Sequence, residues 1–194
     1  LPILSILSPG IFGLLQRGIT SQRHNKIIKK LLGQTTSPEI AEQLWLSRDS
    51  IIKDGKLYGK EQIVTALFID ICDFTSASEV LTPSELINWL NDILGFCVDK
   101  VIINNGIVNK FTGDGLLAIY GAPVSSGKGN DALNSIKTAT IIKNELASLN
   151  AMLVNKNYPK ARLRIGIHTG LVTTGSLGTS DRLEYAVIGE TINC

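Results

Sequence analysis

The chain has 194 residues, and at roughly 100–200 residues per domain that is one domain with a short appendage. Its 44% hydrophobic and 19% charged residues supply material for a buried core, which excludes disordered and fibrous classes. A net charge of +2 is too balanced to mark a nucleic-acid binder by itself. The basic charge is local. Arg17, Arg23, Lys26, Lys29 and Lys30 all precede the first acid, Glu39, and the remainder of the chain holds 14 basic against 17 acidic residues. The three cysteines, Cys72, Cys97 and Cys194, lie far apart and without metal-ligand spacing. Reduced thiols are expected, with Cys97 a core residue, rather than a disulfide framework or a zinc site.

Both ends look cut, because the chain starts without Met and Cys194 falls where a helix is expected to begin. Leu1 to Leu15 are almost wholly apolar but interrupted by Pro2 and Pro9, and about 15 residues fall short of the roughly 20 that cross a bilayer. Followed at once by the basic cluster, residues 1–16 read as the end of a transmembrane segment entering the cytoplasm. The alternative is a soluble helix with a solvated basic face. Residues 17–60 read as a basic linker and a connector helix, opened by Ser37 as N-cap, Pro38 at the first position and Glu39 in the first turn.

Residues 61–194 form the main unit. Asp54-Gly55 is a turn, and Ile63 to Ile71 is a β-branched apolar run, the mark of a strand buried on both faces, interrupted by Asp70. Thr82-Pro83-Ser84-Glu85 opens a long helix that Asn104-Asn105-Gly106 stops. Strands come next over Ile107 to Phe111 and Leu116 to Tyr120, joined by the Thr112-Gly113-Asp114-Gly115 hairpin. After them lie a loop from Gly121 to Gly129, a helix from Asp131 to Leu153, and strands from Ala161 to His168 and Leu171 to Thr174, separated by a Thr169-Gly170 turn. Leu183 to Ile188 is the last strand, and Gly189 turns toward a final helix. The order βααββαββ predicts an α+β, ferredoxin-like or palm-like sandwich, with helices packed on a mixed, mainly antiparallel sheet and its C-terminal part truncated.

Two motifs are decoys. Gly121 to Gly129 has the wrong spacing around Gly127-Lys128 for a phosphate-binding P-loop, and Gly175-Ser176-Leu177-Gly178 is not a nucleophile elbow. His168 is expected at a strand end as a hydrogen-bonded turn residue. The informative pair is Asp70 and Asp114. A carboxylate inside an apolar strand costs several kcal/mol unless it is paired or binds a metal. Two carboxylates on adjacent strand ends can hold divalent cations about 3.5–4 Å apart for displacement at phosphorus. The turn after Asp70, from Ile71 to Thr75, could offer backbone N–H groups to phosphate oxygens. Equally, Asp70 is a strand-end cap and Asp114 an ordinary turn acid, and spacing leaves the two readings open.

Four stretches resolve the choice by resemblance. Phe68-Ile69-Asp70-Ile71-Cys72-Asp73-Phe74-Thr75, the run from Asn109 to Pro123, Arg164 to Gly170, and Glu184 to Asn193 stand in the order found in class III nucleotidyl cyclase catalytic domains. From about Val64 to its last residue, the chain resembles that family, and within it the membrane-anchored adenylate cyclases whose catalytic domain comes after a sensor. The resemblance implies that Asp70 and Asp114, with the Ile71 carbonyl, bind two Mg²⁺ or Mn²⁺ ions. Activation of the ribose 3′-OH and neutralisation of triphosphate charge are the chemistry such ions supply. Cys72, Asp73, Phe74 and Thr75 would hold the β- and γ-phosphates, Lys110 would read adenine, and Asn193 would orient the ribose. Lys110 also reads as a strand-edge lysine that discourages aggregation.

The implied reaction is conversion of ATP to 3′,5′-cyclic AMP and pyrophosphate, in signal transduction on the cytoplasmic side of the cell membrane. A homodimer would build composite sites, metals from one subunit and base-reading residues from the other. Two departures qualify this. Ala186 stands where the family places its second base-reading residue and offers no hydrogen bond, which keeps GTP open as a substrate. The family's transition-state arginine falls past Cys194, so residues 1–194 alone are expected to be inactive. Two other readings stand beside it: an inactive cyclase-like module that binds nucleotide or dimerises, and a polymerase-like palm. The latter lacks a basic groove with interleaved aromatics, so no nucleic-acid partner is expected.

Overall fold

The computed structural model describes residues 52–53, 56–57, 59–178 and 183–193. The expected transmembrane segment, basic linker and connector helix, the Asp54-Gly55 turn and Cys194 lie outside the described residues. Among the described residues, no helix is long and apolar enough to cross a membrane.

The chain enters through a small ladder, β1 (Ile52–Lys53) and β2 (Lys56–Leu57), and then β3 (Lys60–Ile71). Two helices come next, α1 (Phe74–Val80) and α2 (Pro83–Ile103), and a hairpin, β4 (Ile107–Phe111) and β5 (Gly115–Tyr120). The long helix α3 (Lys128–Asn155) leads to β6 (Leu163–Gly178), β7 (Leu183–Ile188) and the single turn α4 (Glu190–Asn193). The main sheet has the order β4-β5-β3-β6-β7. Every neighbouring pair is antiparallel, which corrects the expected mixed sheet. The α1–α2 crossover does bring β4 back in the direction of β3, but β5 inserts between them, so no parallel pair forms.

β3 is central and packs on both faces. Val64 and Ala66 join Leu117, Ile119 and Tyr185 in one core, while Leu67 and Ile69 join Cys97, Val101 and Ile142 in the other, beneath α2 and α3. α2 forms where its signals predict. Thr82 and Glu85 close a reciprocal capping box with Pro83 in the first turn, and Trp89, Ile93, Cys97 and Val101 recur every four residues on the buried face. α3 begins three residues earlier than expected, at Lys128. Its Thr138 is buried because its hydroxyl accepts a 2.8 Å hydrogen bond from the Tyr120 hydroxyl.

The expected break at Thr169-Gly170 does not occur. β6 runs unbroken, with Thr169 opposite Thr65 and Gly170 opposite Val64. The two threonine hydroxyls share a 2.8 Å hydrogen bond, and Gly170 is glycine for space, since a Cβ there would strike Thr191 Oγ1. His168 therefore sits in mid-strand, opposite Ala66 and exposed, rather than at a turn.

Candidate active site

The ladder β3–β5 ends on the pair Asp70 and Gly115. Asp114, one residue before Gly115, thus arrives beside Asp70 at the same end of the sheet. Gly113, at φ 82°, supplies the left-handed turn, and the Thr112 N–H donates to the Gly115 carbonyl at 2.9 Å to close the hairpin. Gly115 is glycine because a Cβ there would strike the Ile69 carbonyl. That contact also gives the direction of the next donor. Carbonyls two residues apart on a strand point the same way, so the Ile71 carbonyl points past the end of β5, toward the side where Asp114 stands.

The chain then turns sharply. The Cys72 N–H donates to the Arg162 carbonyl at 2.8 Å, and Asp73 takes a left-handed φ of 59° to become the N-cap of α1, which starts at Phe74. Asp70, Ile71, Asp114 and the turn Cys72–Thr75 lie at one end of the sheet, but the Cys72 N–H, expected among the phosphate donors, is spent on the Arg162 carbonyl. Asp70 is less buried than the apolar run around it predicts. It is the penultimate residue of β3 and its side chain is 46% exposed, so burial does not demand a partner for it.

Two charged side chains beside the candidate site were not singled out from the sequence. Arg164 Nη1 lies 3.7 Å from Asp70 Oδ2, and Arg162 Nη1 lies 3.3 Å from Asp73 Oδ2. The signal was present as two arginines at i and i+2, Arg164 on β6 opposite Asp70 and Arg162 just before that strand begins. Among the described residues no three His, Cys, Asp or Glu side chains cluster as a metal site. The candidate donors gathered here are two carboxylates and a carbonyl, oxygen atoms of the kind that suit Mg²⁺ or Mn²⁺.

The base-reading candidates lie elsewhere, on the two edge strands. Lys110 is exposed on β4, where an aggregation-blocking role is also physically available. Ala186 is half-buried on β7, opposite Gly175. The sheet curls so that these edges meet: Asn109 Nδ2 donates to the Tyr185 carbonyl at 3.1 Å. Asn193 ends α4, which is anchored where Thr191 Oγ1 donates to the Leu171 carbonyl at 3.0 Å. Asp70 pairs with Arg164 on β6, and from Arg164 to Leu171 is about 23 Å at about 3.3 Å per residue. Asn193 and the carboxylates of one chain are therefore far apart. In the decoy loop the Asp131 carboxylate accepts from Ser126 N at 3.0 Å and from Ser125 Oγ, so these two loop donors are already engaged. Ser176 lies within β6, not on a strand-to-helix turn.

Residues 58–194 match the family model of the adenylate and guanylate cyclase catalytic domain, and the chain belongs to that family. It is 33% identical over 145 residues to adenylate cyclase 1 of Rhizobium meliloti, covering 73% of this chain and 22% of that protein. An uncharacterized protein of Mycobacterium tuberculosis, Rv1320c, is 33% identical over 185 residues, 93% of this chain and 30% of that protein. The chain thus spans less than a third of these relatives. Among solved structures, the guanylyl cyclase Cya2 superposes with a TM-score of 0.65 at 32% identity, over 70% of this chain and 68% of that one. The adenylyl cyclase CyaB from P. aeruginosa gives 0.67 at 28% identity, over 71% and 70%. The fold is that of the cyclase domain.

Proposed function

We propose that this chain supplies the catalytic half-sites of an adenylate cyclase, which converts ATP to 3′,5′-cyclic AMP and pyrophosphate. The ribose 3′-oxygen bonds to the α-phosphorus as the bond to the pyrophosphate oxygen breaks. The observation that carries this reading is the Asp70–Gly115 register, which brings Asp114 of the hairpin turn beside Asp70 of β3, next to the Cys72–Thr75 turn. Asp70, Asp114 and the Ile71 carbonyl would hold two divalent cations, which supply activation of the 3′-OH and neutralisation of the triphosphate. The backbone N–H groups of Asp73, Phe74 and Thr75 would donate to β- and γ-phosphate oxygens, that of Cys72 being engaged by the Arg162 carbonyl, and Arg164 and Arg162 add positive charge on the same edge.

Lys110 donates to the N1 acceptor of adenine, and Asn193 orients the ribose. The separation of about 23 Å along β6 between the Asp70 and Asn193 ends supports composite sites in a head-to-tail homodimer, each completed by the partner copy. The apolar stretch before Arg17 and the basic cluster after it support attachment to a membrane, with the catalytic unit on the cytoplasmic side. A second reading, a guanylate or mixed-substrate cyclase, is favoured by Ala186, which cannot hydrogen bond a base.

The test is product formation from ATP and from GTP, with Mg²⁺ or Mn²⁺, by the full protein and its Lys110→Glu variant. Cyclic AMP as the main product, with a shift toward cyclic GMP in the variant, is expected. A wild-type preference for GTP overturns the adenylate assignment, and silence with both nucleotides leaves a cyclase-like binding or dimerisation module.

A further inference from the structure

The lysine assigned to the base is aimed by its neighbour. β4 and β5 pair Ile107 with Ile119 and Val108 with Ala118, then resume with Lys110 opposite Leu117 and Phe111 opposite Leu116. Asn109 is left over, the extra residue of a β-bulge. Residues facing each other across a ladder share a side of the sheet. Val108 and Ala118 pack in the core beneath α2, and Phe111 lines a groove with Leu90 and Leu94 of α2. Lys110 faces Leu117, which belongs to the core of the opposite face. In a regular strand, Lys110 would share the side of Val108 and point beneath α2. The bulge turns it to the other face.

The Asn109 side chain is also engaged. Its Nδ2 spans the gap between the two edge strands to the Tyr185 carbonyl. Lys110 and Ala186 each stand one residue from that bond.

We propose that Asn109 is a positioning residue for base selection, its bulge turning Lys110 toward the nucleotide and its amide tying β4 to β7. This rests on the reading of Lys110 as the base donor. Because Ala186 contributes no hydrogen bond, discrimination depends on where Lys110 is held, and slack between the two edges converts directly into lost selectivity. Asn109 acts through Lys110 and need not touch the substrate.

The experiment measures calorimetric binding of the α,β-methylene analogues of ATP and GTP, whose carbon bridge cannot be cleaved, to the full protein with Mn²⁺. Wild type is expected to prefer the adenine analogue. Asn109→Ala, which removes the donor, is expected to lower that preference about fivefold, the worth of one neutral hydrogen bond. Asn109→Gln, which keeps a donor amide, is expected to restore most of it, with the melting temperatures of both variants near wild type. If Asn109→Ala does not fold, Asn109→Thr, whose hydroxyl is too short to reach Tyr185, is read in its place. A preference unchanged within about twofold, or equal loss of both affinities without rescue by Gln, overturns the positioning role. Failure of the underlying reading is seen separately, in wild type: equal binding of the two analogues, or none, removes Lys110 as a base reader and this proposal with it.

Discussion

Gly115 is where fold and chemistry constrain the same atom. A Cβ added there strikes the Ile69 carbonyl and comes within 3.0 Å of Thr112 Oγ1 and 3.3 Å of the Asp70 Cα. Two of these three are backbone atoms of the central strand and cannot rotate aside. Gly115→Ala must therefore prise β5 from β3 at the Asp70 position. Overpacking of this kind costs about 1–3 kcal/mol. At about 2–4 °C per kcal/mol for a chain of this size, a cost of about 2 kcal/mol lowers the melting temperature by about 4–8 °C. Turnover should suffer more than stability, because Asp114 moves with Gly115, and about 1 Å of misplacement can cost about 10²-fold. The control is Gly166→Ala on β6, where a Cβ meets nothing within 4 Å and φ is not positive; it is expected to melt at or slightly above wild type. Thermal unfolding and cyclic-nucleotide production of both variants in the full protein decide the matter. A Gly115→Ala variant that melts with Gly166→Ala and keeps wild-type turnover refutes the reasoning.

The same geometry and burial set two further outcomes. Asp70→Ala and Asn193→Ala are each expected to be inactive alone, whereas mixing them should recover about a quarter of the wild-type rate, since half the dimers then hold one intact site of two; no recovery from mixed, re-equilibrated dimers denies the composite site. Burial pushes the Cys97 thiol from 9.0 up to about 12 and the Tyr185 hydroxyl from 10.0 up to about 12. The folded protein then keeps protons that the unfolded chain releases, so this stability is fully present below about pH 9 and is lost as pH rises toward about 12. Melting temperature should fall across that alkaline range, less steeply in Cys97→Ala, and parallel declines would show that the thiol contributes nothing.

The fold was legible where local signals agreed with the packing. The Thr82 to Glu85 capping box, the apolar run of β3 and the Gly113 turn are each written in a few adjacent residues. The failures are of another kind. Thr169-Gly170 looks like a turn, yet its glycine answers to Thr191, 21 residues later, and no local pattern records that contact. A mixed sheet is the natural expectation because β3 and β4 run the same way, and only the insertion of β5 shows otherwise. At the site, resemblance carried the carboxylates, the turn, Lys110 and Asn193. Arg164, Arg162 and Asn109 were missed because their placement depends on the folded chain: which residue of β6 faces Asp70, which residue before β6 meets the turn at Asp73, and which residue of β4 has no partner. Asp70 itself stands out in the sequence partly for a burial cost that its half-exposed position does not impose.

The central claim is that Asp70 and Asp114 form one catalytic centre in a nucleotide-cyclising enzyme. The most direct measurement is the rate of cyclic AMP formation from Mn²⁺-ATP by the full protein, by Asp70→Ala and by Asp114→Ala, with each variant's melting temperature recorded. Product from wild type that disappears in both variants, while both remain folded, is the predicted result. Product that survives either substitution, or a folded wild type that makes none, contradicts the account.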